Sequence, residues 1–68
     1  MNKNDEINFL RMRRKQLKLK MQQVADYLEV SKSAICQYEC FKSSLSRYKI
    51  DLYHEFIKNR QEVTLNEI

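Results

Sequence analysis

Sixty-eight residues make one domain, too small for a deep catalytic cleft and near the lower limit for a core that folds unaided. With 43% apolar and 32% charged residues and a net charge of +4, the composition is not that of a disordered chain. No apolar run is long enough to span a bilayer and no signal-peptide pattern opens the chain, so no membrane role is expected and the cytoplasm is the expected location.

The chain has no glycine and no proline. Tight hairpins normally need one or the other, so the expectation is an all-α domain of helices joined by short polar turns. Any left-handed residue in it must be strained, at about 1–2 kcal/mol. Charge is unevenly placed. Residues 1–34 carry a net +4 and residues 35–68 none, and six bases lie between Arg11 and Lys20 with no acid among them. Such a stretch is either a surface for a polyanion or a solvated helix face.

In chain order, residues 1–3 are expected to fray, and Asn4 to cap a first helix with Asp5 and Glu6 in its first turn. Ile7, Leu10, Arg14 and Leu17 share one face of that helix. An arginine on a core-facing stripe needs a partner. Leu19 should anchor the turn. A second helix is predicted from Met21 to Glu29, with Val24, Ala25 and Leu28 inward and Lys20 a weak cap, because lysine has no acceptor. Ser31 is a good cap for a third helix over residues 32–40, with Ile35 and Tyr38 inward and Lys32, Ser33, Cys36 and Gln37 outward.

Two short helices on a tight turn form a helix-turn-helix. The stretch KMQQVADYLEVSKSAICQYEC, residues 20–40, resembles the lambda-repressor-like helix-turn-helix domains of the Cro/CI or XRE type. Val24, Ala25, Leu28, Val30, Ile35 and Tyr38 stand where that pattern has apolar or small residues, Ser31 at its cap and Glu39 at its acid. The resemblance covers roughly residues 7–57. It departs at Lys20 (usually Ser or Thr), Met21 (usually Gln) and Glu29 (usually Gly).

The resemblance implies a four- or five-helix fold and a small phage or mobile-element regulator of transcription, a Cro-like repressor in the bacterial cytoplasm or nucleoid. Its partner would be a double-stranded DNA operator, bound as a homodimer on half-sites roughly 34 Å apart. Lys32, Ser33, Cys36 and Gln37 would read bases. Lysine suits guanine, glutamine suits adenine, serine suits either, and Cys36 can touch a thymine methyl. Lys18, Lys20, Gln22, Gln23, Lys42 and Arg47 would hold phosphates. Arg14 and Glu39 would form a structural ion pair. The alternative on the same fold is an antirepressor or modulator that binds another repressor protein.

Residues 41–46, FKSSLS, read as a loop in which Ser44 or Ser46 caps a fourth helix over residues 47–59. Leu52 and Phe56 are expected to close the core. Tyr53 and Ile57 are a surplus that is either a partner surface or more core. Residues 61–68 read as a loose tail after a domain of residues 1–60, with a strand that pairs across a dimer as the other reading. Cys36 and Cys40 are four apart on one helix, so reduced thiols are expected. With His54 they make three ligands where zinc wants four, so neither a metal nor another cofactor is expected. His54 has no nucleophile and orienting acid around it, and no enzyme is expected.

Overall fold

The computed structural model describes residues 2–66, with side chains through residue 60. It is all-α, with no strand among the described residues: α1 Lys3–Gln16, α2 Met21–Leu28, α3 Lys32–Glu39 and α4 Arg47–Asn66. Helix α2 packs on both α3 and α4, and α1 closes the bundle against α3 and α4. No helix among the described residues is long and apolar enough to cross a membrane.

The core follows from helical spacing. Ile7 and Leu10 from α1, Val24, Ala25 and Leu28 from α2, Ile35 and Tyr38 from α3, and Ile50, Tyr53, Phe56 and Ile57 from α4 form one buried cluster. Leu17, Leu19 and Val30 pack half-buried against it.

Three expectations need correction. The α1 cap is Asn2, not Asn4: the Asn2 side chain accepts from the Asp5 N–H at 2.8 Å, and Lys3 is already helical. Starting earlier places Asp5 and Glu6 in the first turn all the same, where the dipole favours them. Leu52, expected to close the core, is only half-buried; of the two readings left open for the surplus on α4, the core one holds, with Tyr53 0% and Ile57 3% exposed. A long helix packed against both α1 and α2 can bury two adjacent stripes. Helix α4 also runs on to Asn66, through most of the stretch read as a loose tail; Glu67 and Ile68 lie outside the described residues. With no proline or glycine to stop it, the backbone continues past position 59.

The first three helices close in the same way. Lys18, Glu29 and Phe41 follow α1, α2 and α3 with φ of 58°, 60° and 64°. The next residue then donates back five positions: Leu19 N–H to Arg14 C=O (3.0 Å), Val30 N–H to Ala25 C=O (3.0 Å) and Lys42 N–H to Gln37 C=O (2.9 Å). This closure satisfies carbonyls at the helix end and usually uses glycine. Here Lys, Glu and Phe adopt it against their own Cβ. Replacing Glu29 with glycine should therefore stabilise the fold by up to about 1 kcal/mol, after allowing for glycine's freedom in the unfolded chain. That corresponds to a rise in melting temperature of about 4–8 °C. A lower melting temperature by circular dichroism would contradict the strained turn.

Candidate nucleic-acid interface

The elbow of α2 and α3 is built from small local choices. Ala25, fully buried, lets the two helices approach closely. Ser31 caps α3, its Oγ accepting from the Ala34 N–H at 3.1 Å. Ser31→Ala should cost about 1 kcal/mol in thermal unfolding. At α2 the expected weak cap is half repaired, since Gln23 Oε1 accepts from the Lys20 N–H at 2.8 Å. The far end of α2 is closed by Lys49, whose Nζ donates to the Leu28 carbonyl at 2.5 Å.

Beneath the elbow lies a buried polar knot. Arg14 Nε donates to Glu39 Oε2 and Arg14 Nη2 to Glu39 Oε1, each at 2.9 Å. Arg14 Nη1 donates to the Leu19 carbonyl at 2.9 Å, and the Tyr53 hydroxyl donates to Glu39 Oε2 at 2.6 Å. Among the described residues no buried side-chain polar atom lacks a partner. The expected Arg14–Glu39 pair is present and bidentate, the geometry that suits a guanidinium. Burial opposes the charge on Arg14, but the hydrogen bond and field of Glu39 outweigh it and hold the group protonated more firmly than usual. Tyr53 was missed as a member of the knot. It lies 14 positions from Glu39 with no local signal linking them.

Two buried phenols, Tyr38 and Tyr53, set a pH limit. Burial pushes the Tyr38 phenol up to about 12. Burial first, and then its bond to Glu39, raises Tyr53. Both phenols are stabilised neutral in the fold and ionise near 10 when unfolded. Their contribution is whole below pH 10 and is lost as pH rises toward the folded values. The melting temperature should hold through pH 9 and fall between pH 10 and 12. A flat profile across that range would argue against buried neutral phenols.

Helix α3 turns Ile35, Tyr38 and Glu39 inward, and leaves Lys32, Ser33, Cys36 and Gln37 exposed. The four predicted base-reading side chains therefore share the outer face of one capped helix. Lys18, Lys20, Gln22, Gln23 and Lys42 are exposed as well. Gln22 is not free, its Nε2 donating to Asp26 Oδ1 at 2.8 Å. The chain matches no family model, no curated protein and no solved structure.

Arg47 makes contacts that the sequence did not signal. Its guanidinium donates to Glu6 at 3.1 and 2.8 Å and to Asp51 at 3.0 and 2.8 Å. Two carboxylates already answer its charge, so a phosphate would have to displace them. Through these bonds Arg47 clamps α1 to the start of α4. His54 Nε2 joins Glu6 Oε2 at 2.7 Å. The Arg47 hydrogen bond holds the Glu6 carboxyl below its usual range, against the opposing effect of burial, with His54 adding to it. Ser46 begins α4, its Oγ accepting from the Lys49 N–H at 3.3 Å. Cys36 and Cys40 are both free and exposed, and among the described residues no three potential metal ligands gather.

Proposed function

We propose that this chain is a sequence-specific DNA-binding regulator of transcription that acts as a small repressor of the Cro type. The observation that carries the reading is the outer face of α3. Lys32, Ser33, Cys36 and Gln37 stand in water on a helix whose inner face is pinned by the Arg14–Glu39–Tyr53 knot. A rigid helix with donors and acceptors along one side fits the major groove, where each base pair presents a distinct pattern. The exposed bases Lys18, Lys20 and Lys42 supply backbone attraction that carries no sequence information. Repression would be by occlusion: a domain seated on an operator excludes other proteins from it. One domain of this size offers a small interface, so a homodimer on a two-fold site is part of the proposal.

The reading as a modulator of another repressor drew on spare apolar surface along α4. Of that surface Tyr53 and Ile57 are core while Tyr48 is 68% exposed, and the reading's other support, Met21, Cys36 and Glu29 as weak residues for a DNA reader, stands.

The test is enrichment from a pool of random-sequence duplexes, followed by titration of the enriched duplex at rising salt. One sequence should dominate the bound pool, and its affinity should fall linearly with the logarithm of salt concentration. Recovery of an unenriched pool would end the repressor reading.

A further inference from the structure

We propose that Cys36 and Cys40 together form a site for one soft, two-coordinate cation of the Cu(I) type, and that its binding releases the protein from DNA. Both thiols are free and exposed. Four positions apart at the end of α3, they stand on the same side of the helix, one turn from each other. The Cys40 N–H donates to the Cys36 carbonyl at 3.0 Å, so the backbone keeps its α-helical geometry through both positions although Cys40 is the cap. That geometry puts the two Cβ atoms about 5–6 Å apart. A disulfide needs about 3.5–4.5 Å there, so the pair cannot close on itself without breaking the last turn. Two metal–thiolate bonds of about 2.3 Å, end to end, span about 4.6 Å, a separation that rotation about the two exposed Cα–Cβ bonds supplies.

The surroundings select a soft ion. Zinc wants four ligands, and among the described residues no three potential ligands gather. The only acid of α3 is Glu39, and Arg14 and Tyr53 already hold its two oxygens. A hard cation therefore finds no open carboxylate on that helix. Thiolates select Cu(I), and a thioether is the other soft donor it takes. Met21 lines the same cleft as Cys40. On binding, each thiol gives its proton to water as a sulfur–copper bond forms. Two neutral thiols become a bis-thiolate copper unit with one net negative charge. Cys36 shares its exposed face with Lys32, Ser33 and Gln37. A negative unit there opposes the phosphates and fills the space that a base edge would occupy.

The metal site stands on this geometry alone; the release from DNA rests on the function proposed above. The test uses the full chain, reduced and free of oxygen, titrated with Cu(I) held by the colour-forming chelator bicinchoninate. Each chain should withdraw one Cu(I), with no change of oligomeric state in sedimentation. Cys36→Ser and Cys40→Ser, each checked for helix content by circular dichroism, should lower the Cu(I) affinity by more than about a hundredfold. In a parallel titration, Cu(I) should weaken the parent chain's binding to its enriched duplex by about tenfold or more, and leave that of Cys40→Ser unchanged. No withdrawal of Cu(I), full affinity with one thiol gone, or one Cu(I) shared between two chains would overturn the site. One Cu(I) bound per chain with duplex affinity unmoved would overturn the release alone. A chain that binds Cu(I) but enriches no duplex would end the DNA reading, and the release with it, and leave the metal site standing.

Discussion

Glu39→Ala is expected to lower stability by about 3–5 kcal/mol, because it strands a buried cation. Arg14 is 7% exposed, and without Glu39 its guanidinium has the Leu19 carbonyl but no carboxylate partner among the described residues. The Tyr53 hydroxyl loses its acceptor in the same step. A domain of this size has roughly 3–10 kcal/mol in total, at 0.05–0.15 kcal/mol per residue. The variant should therefore be largely unfolded on mild heating, and its urea midpoint should fall steeply. The double variant Arg14→Met with Glu39→Leu should recover much of the loss, since neither charge is left unpaired. An exposed pair would behave otherwise, losing at most about 1 kcal/mol. A loss that small for Glu39→Ala would mean that water reaches the knot.

Ile57→Ala should cost about 2–5 kcal/mol by leaving a cavity between α4 and the rest of the core. The size of this effect separates two uses of the same residue. A side chain held for a partner surface would cost little in the monomer when truncated, and its effect would vary with protein concentration. At 3% exposure, Ile57 belongs to the monomer's own interior. Unfolding of Ile57→Ala should shift by the same amount at low and at high protein concentration.

The inward residues of the first three helices were legible because periodicity alone places them. Ile7, Leu10 and Arg14 recur at three and four, as do Val24 with Leu28 and Ile35 with Tyr38, and all of these are buried. Ser31 was legible as a cap from its residue type and position. Arg14 and Glu39 were paired only through the family resemblance, since 25 positions separate them. Position along a single helix could not tell whether Tyr53 and Ile57 meet a partner or the rest of the chain. That depends on how many helices surround α4, which is a tertiary fact. Arg47 has a tertiary partner of the same kind. It reads as a phosphate contact from its place beside a predicted recognition helix, and its bond to Glu6, 41 positions away, had no sequence cue. The three left-handed helix ends had one sequence cue, the non-glycine at Glu29; Lys18 and Phe41 had none.

The central claim is that the outer face of α3 reads sequence while the surrounding lysines only attract. Affinities of Lys32→Ala and Gln37→Ala for the preferred duplex and for a scrambled one test it most directly, with Lys18→Ala and Lys20→Ala alongside. Each α3 substitution should reduce discrimination by about 1–3 kcal/mol, relaxing the preference at particular base pairs. Each lysine substitution outside α3 should weaken both duplexes alike and lower the salt slope by about 1. Unchanged discrimination in both α3 variants, with the fold intact by circular dichroism, would contradict the account.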